Sequence, residues 1–208
     1  MNTNTTIPDN DDLKQRLIYT MFEALYYEGY HASNLNAILK KADTSKGGMY
    51  HYYKSKKELA LQTITVAGNG FVEHFWKSEL DKAINPIDSI ELLCKKLPHT
   101  QLMNQAVFDF KYGCPINNLI QEMSAIDDDF ATLLSSILKL WQKSIEEALQ
   151  KAQNSNILRN DFDTYTMAGF IVASIEGALS SAKAHHDKKY YEDAIGVLLH
   201  FLNTLKKY

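Results

Sequence analysis

The chain has 208 residues, 45% hydrophobic and 23% charged, a length and composition that bury a sizeable core and exclude long disordered stretches. No window reaches the roughly 18 consecutive apolar residues of a membrane span, and Met1 to Asp12 is polar and acidic rather than basic then apolar, so a cytoplasmic protein is expected. The net charge of −3 speaks against a nucleic-acid binder only as a sum, because residues 40–57 carry Lys40, Lys41, Lys46, Lys54, Lys56 and Lys57 against Asp43 alone, a patch that suits phosphate and equally suits a solvated face.

Only Pro8, Pro86, Pro98 and Pro115 interrupt the chain, and apolar residues recur at spacings of three and four, which predicts an all-α fold of about nine helices. Residues 1–10 read as a disordered lead. A first helix follows over about 11–28, with Leu13, Leu17, Met21, Phe22 and Leu25 on one stripe, Asp11 and Asp12 favourably placed at its start, and Gly29 ending it. Ser33 is the expected N-cap of a short second helix over 34–41. After the break at Ala42, Asp43 and Thr44, either Thr44 or Ser45 caps a third helix reaching about Tyr52. Ser55, with Glu58 three residues on, opens a fourth helix over about 56–80 as a capping box.

Two short helices joined by a tight turn, the second opening on small polar residues, are the pattern of a helix-turn-helix whose second helix enters the DNA major groove. The third helix opens Ser45-Lys46-Gly47-Gly48. Two helical glycines cost roughly 1 kcal/mol each relative to alanine; either they let backbone approach a DNA surface or the pair is a plain loop. The residues that follow interleave aromatic hydroxyls with lysines, up to Leu59, and such groups position a protein on phosphates.

The run Ser45-Lys46-Gly47-Gly48-Met49-Tyr50-His51-Tyr52-Tyr53-Lys54-Ser55-Lys56-Lys57-Glu58-Leu59 resembles the TetR-family signature, in which a segment of the form SKGxxYxYFxSKxxL carries the recognition helix into the fourth helix. Gly29-Tyr30, Ser33, Ile38 and Ala42 fit the same family, whereas Asp43 and Thr44 stand where its members usually have glycine and a small apolar residue. Asp43 is therefore expected in a left-handed turn. The resemblance implies a helix-turn-helix DNA-binding domain over 11–60 and a helical ligand-binding and dimerisation domain over 61–208. It places Ser33, Asn34, Thr44, Ser45, Lys46, Gly47, Gly48, Tyr50, His51 and Lys56 at DNA, with Met49 and Tyr53 as core plugs; packing of Tyr50, Tyr52 and Tyr53 against helices one and four is the competing account.

Further helices are expected over about 86–97, a broken pair over 101–124 around Gly113 and Pro115, then 127–153, 161–184 and 189–206. The stretch Gly113-Cys114-Pro115-Ile116-Asn117-Asn118-Leu119-Ile120-Gln121-Glu122 resembles a GCPxxNLxxE segment of one branch of TetR regulatory domains. Gly169, Ala173, Gly177 and Ser181 form a stripe of small residues four apart, and Val197, Leu198 and Phe201 belong to an apolar face of the last helix. Those two faces serve an internal core or a two-subunit four-helix bundle, and the resemblance implies the homodimer.

Phe75, Trp76, Met103, Phe108, Met123 and Trp141 are candidate walls of an effector pocket, each equally a plain core residue. Glu176 interrupts the apolar run 171–179, where it pairs with a ligand, caps a neighbouring helix or bonds across a dimer. Cys94 and Cys114 are too few for a disulfide framework or a structural zinc site; packing and a thiol-based redox sensor are the alternatives for Cys114. Adjacent His185 and His186 diverge by about 100° on a helix and suit no shared metal. No acid/base cluster, nucleophile elbow or phosphate loop appears, so no enzyme and no cofactor is expected. The expected function is a regulator, most often a repressor, released from a palindromic double-stranded operator by a small apolar or amphipathic effector. Redox-responsive regulation on the same fold and constitutive DNA binding are the alternatives.

Overall fold

The computed structural model describes residues 13–103 and 106–207. The lead over 1–10 and the acidic pair Asp11 and Asp12 lie outside the described residues. The N-terminal part is built from α1 (Leu13–Tyr27), a single turn α2 (Gly29–Ala32), α3 (Leu35–Lys41) and α4 (Lys46–Tyr52). Helix α5 (Lys56–Gly70) runs on through a π-helical stretch, Phe71–Lys77, into α6 (Ser78–Leu80). Then come α7 (Pro86–Lys96), α8 (Pro115–Met123), α9 (Asp128–Asn154), α10 (Thr164–His185) and α11 (Lys189–Asn203). Among the described residues no helix is long and apolar enough to cross a membrane.

The stripe foreseen in α1 is the floor of the N-terminal core: Leu17 and Met21 are fully buried, with Ile38 and Leu39 of α3, Met49 of α4 and Leu59 of α5 beside them. Burying a side chain of this size contributes about 1.5–3 kcal/mol, which is what lets helices as short as seven residues persist. The larger C-terminal core centres on α9, where Trp141 lies 4.8 Å from Trp76 and 6.4 Å from Phe71. Gly68 of α5 faces Ile137 of α9, and a Cβ there would approach Ile137 Cδ1 to 2.5 Å, so α5 crosses α9 at glycine distance.

Several boundaries differ from the expected ones for identifiable reasons. Asn34, not Ser33, caps α3: its Oδ1 accepts from the Asn36 and Ala37 amides at 2.9 and 3.2 Å, while the Ser33 hydroxyl donates back to the Tyr30 carbonyl. Ser45 caps α4 through the Gly48 amide. Ser55 caps α5 as expected, but Glu58 accepts from the Lys54 amide, one residue outside the usual capping box.

The first half of the expected broken helical pair is not helical. Gln101–Leu102 and Ala106–Val107 pair antiparallel, with Gln101 opposite Val107. Leu102, Ala106 and Phe108 face inward while Gln101, Val107 and Asp109 face out. That alternation has period two, not 3.6, and is legible once the window is kept short.

Candidate nucleic-acid interface and effector cavity

Helix α3 ends in a left-handed Asp43 (φ 50°). The Thr44 amide donates to Leu39 O and the Asp43 amide to Lys40 O, the two bonds of a Schellman turn, so Asp43 does there what glycine does at low cost. The turn delivers α4 with Met49 fully buried and Tyr53 at 4% exposure as core plugs, and with Lys46, Gly47, Tyr50, His51 and Tyr52 outward. Tyr50 is 52% and Tyr52 40% exposed, so neither ring is part of the buried core.

The two glycines of α4 have different reasons. A Cβ on Gly48 would come within 2.3 Å of Thr44 Oγ1 and 3.2 Å of Leu13 Cδ2, whereas Gly47 meets only Ser45 Oγ at 3.6 Å and is otherwise open. Gly48 is required by the turn and by α1; Gly47 leaves bare backbone on the outer face.

The lysine patch is smaller than its composition suggests. Lys41 pairs with Glu23 at 2.7 Å, and Lys57 reaches Asp127 and Asp129 at 2.7 Å each, contacts that hold its ammonium protonated well above the ordinary lysine range. Lys56, expected at phosphate, donates to the Tyr30 and Ser33 carbonyls at 2.6 Å each and lies over the Tyr30 ring; burial lowers its pKa. It ties α5 to α2 and to the turn that follows it. Ser33, also expected at DNA, is 4% exposed and bonded inward. Asn34, Lys40, Ser45, Lys46, Gly47, Tyr50, His51 and Lys54 are exposed, and Thr44 is half-buried.

Polar contacts among the described residues fasten this head to the C-terminal part. The Glu122 carboxylate, at the end of α8, accepts from the Tyr30 and His31 amides of α2 at 2.9 and 2.7 Å. The Tyr26 hydroxyl accepts from the Asp109 amide and donates to its carbonyl, and Lys57 grips the start of α9. Gly29 (φ 83°) sits under the first clamp, since a Cβ there would lie 2.7 Å from a Glu122 oxygen. Loss of two charge-assisted bonds is worth about 1–3 kcal/mol at a partly exposed site, so Glu122→Ala is expected to lower the urea midpoint accordingly, and Glu122→Gln by less.

The second motif is thereby explained position by position. Gly113 turns at φ 70°; Cys114 caps α8, its sulfur accepting from the Asn117 amide; Pro115 begins the helix. Asn118 donates to Tyr112 O and accepts from Lys183 of α10 at 2.7 Å. Leu119 is core, and Glu122 is the clamp.

A cavity of about 70 Å³ lies between α1, α5, the 97–108 segment, the start of α8, α9 and α10. Met103, Phe108, Trp141 and Glu176 are among its lining residues, together with Phe22, Phe71 and Cys114. Phe75, Trp76 and Met123 do not line it: Trp76 and Met123 are plain core, and Phe75 stacks on Phe71 at 5.0 Å. Phe22, in the N-terminal part, was not expected at a pocket; Phe71, whose aromatic ring also suits a pocket wall, is carried by the π-helical stretch, and π turns are rare and frequent at functional sites. The Glu176 carboxyl lies beside the Cys114 thiol, and its Oε2 is buried without a hydrogen-bond partner. Burial pushes the Glu176 carboxyl up to about 7 and the Cys114 thiol well above the ordinary thiol range. Cys94 is likewise pushed up, to about 12. Both sulfurs are thus held as thiols, the poorly nucleophilic form.

The comparisons agree with this architecture. Residues 21–63 match the model for bacterial regulatory proteins of the tetR family, and residues 100–198 match the tetracyclin repressor-like C-terminal domain. The transcriptional regulator AcuR of Cereibacter sphaeroides is 31% identical over 176 residues, 85% of this chain and 78% of that protein. The chain belongs to the TetR family of transcriptional regulators. The HTH-type transcriptional repressor DhaR of a Mycobacterium species is 22% identical over 91% of this TetR-family chain and 92% of its own. A crystal structure of a regulatory protein TetR from Rhodobacter sphaeroides, 28% identical, superimposes with a TM-score of 0.76 over 89% of this chain and 96% of that one. The all-helical architecture with an N-terminal helix-turn-helix is the family's, and this TetR-family member is a DNA-binding transcriptional regulator.

Proposed function

We propose that the protein is a homodimeric repressor, released from a palindromic operator when a small molecule occupies the cavity under α8. The observation that carries this is the path of α8: its first turn lines the cavity at Cys114 and Pro115, and its last turn holds Glu122 on the amides of α2. A ligand that prefers one position of α8 therefore biases the reading head, and its differential affinity for the two positions sets the response. Repression is supported by the name of DhaR as a repressor.

Dimerisation is supported by an uncovered apolar face on α10 and α11. Val197 is 72% exposed, Phe170 and Phe201 meet edge-on at 5.8 Å while both remain exposed, and a Cβ at Gly177 would meet nothing. Ala173 and Ser181 share the exposed side. Two expected interface residues lie elsewhere: Leu198 is 4% exposed in the subunit's own core, and Gly169 faces Gln142 of α9. A carboxylate in a paired apolar face is costly to bury, so Val197→Glu with Phe201→Glu is expected to sediment as a monomer with an unchanged helical spectrum and to lose specific DNA binding.

The test of the proposal is fluorescence anisotropy on DNA flanking the protein's own gene, with and without a small-molecule library. The expected result is tight, salt-sensitive binding that one class of compound reverses. Binding that no cavity-occupying compound alters contradicts it.

A further inference from the structure

We infer that the cavity selects a small aliphatic amine, its ammonium seated between the free oxygen of Glu176 and the aromatic wall. The inference rests on the reading of this cavity as the effector site and names the chemistry it takes. Among the described residues, Glu176 lines the cavity and its Oε2 is buried with no hydrogen-bond partner. A native core leaves few carboxylate oxygens unpaired, because each costs a large desolvation penalty, so this oxygen at a cavity marks a place for a ligand's polar end. Among the described residues no lysine, arginine or histidine lines the cavity, so a bound anion meets a carboxyl and no counter-charge there.

A cation finds the opposite. Glu176 supplies the charge partner, and Phe71, Phe108, Phe22 and Trp141 supply ring surfaces, which attract an ammonium most strongly where water is excluded. A cavity of about 70 Å³ exceeds by several-fold the roughly 10–15 Å³ that one water needs on the same scale, which limits the ligand to a few heavy atoms beyond the amine. Glu176 waits for it partly protonated, since burial raises its carboxyl to about 7. Among the lining residues the only other titratable group is Cys114, held as a neutral thiol. An arriving ammonium favours the carboxylate and displaces the Glu176 proton, so amine affinity rises with pH through that range.

The experiment compares butylamine, butan-1-ol and butyrate, three probes of one size, on the whole chain by Trp fluorescence and calorimetry. At pH 8 butylamine is expected to bind at least tenfold more tightly than butyrate, and more weakly by about tenfold at pH 6, where butan-1-ol is unchanged. In Glu176→Gln the butylamine preference is expected to fall at least tenfold; the pH series on the wild type keeps the test valid if that variant fails to fold. Equal binding of butyrate and butylamine, a pH-independent butylamine affinity, or binding of none of the three overturns the inference. Operator release is read in the same titrations: amine binding without release supports the ligand class and removes the effector reading, while release by a different class of compound does the reverse.

Discussion

Reversing the charge of Lys46 is expected to weaken specific operator binding at least 100-fold while leaving thermal unfolding unchanged. Lys46 opens α4, is exposed, and stands beside the bare backbone of Gly47, so its substitution removes nothing from the core. In a dimer each substitution acts twice. Losing one phosphate contact per subunit removes about two counterions from the binding equilibrium, which lowers the slope of log affinity against log salt by roughly two. A glutamate adds repulsion against the same phosphates. Lys56→Ala is the instructive contrast, because that ammonium is tied to the Tyr30 and Ser33 carbonyls: it should lower stability and affect the salt slope little. Anisotropy titrations between low and physiological salt measure both quantities. An unchanged slope in Lys46→Glu would remove α4 as the reading helix.

The second large effect concerns stability and pH. Glu176 prefers its proton in the folded state, its carboxyl raised from 4.5 to about 7, a difference on the order of 3 kcal/mol. The sign follows from linkage: the stability Glu176 contributes is fully present below about pH 4.5 and is lost as pH rises through about 7. Glu176→Gln has no proton to lose. The variant is therefore expected to match the wild type near pH 4.5 and to exceed it by up to about 3 kcal/mol at pH 8, read as the difference between urea midpoints so that other titrating groups cancel. A difference that stays constant with pH would place the carboxyl in water.

The helix-turn-helix was legible in the sequence because local chemistry decides it. Capping residues, a turn needing a left-handed residue at Asp43, and a surface run bounded by the plugs Met49 and Tyr53 each leave a mark within a few positions. Charge was less legible. The six lysines of 40–57 look alike in sequence, yet Lys57 is held by Asp127 and Asp129 and Lys56 by carbonyls of α2 and the turn after it, partners up to 72 residues away in the chain.

The cavity lay further from reach. Glu176 stood out as an acid in an apolar run, but its pairing with Cys114 joins residues 62 apart, and Phe75 and Phe71 cannot be told apart by period when the helix between them widens to π geometry. The face of α11 was misjudged at Leu198 for a related reason: 195, 198 and 202 point into the subunit while 197 and 201 point out, and a helix apolar on two sides does not say which side the partner takes.

The central claim is that α4 of each subunit of a dimer reads one half of a two-fold operator. Hydroxyl-radical footprinting of the purified protein on the DNA flanking its own gene tests that directly. The account predicts two equivalent protected patches about 34–36 Å apart on one face of the duplex, related by a dyad and both lost in Lys46→Glu; a single patch, or protection that survives in Lys46→Glu, would contradict it.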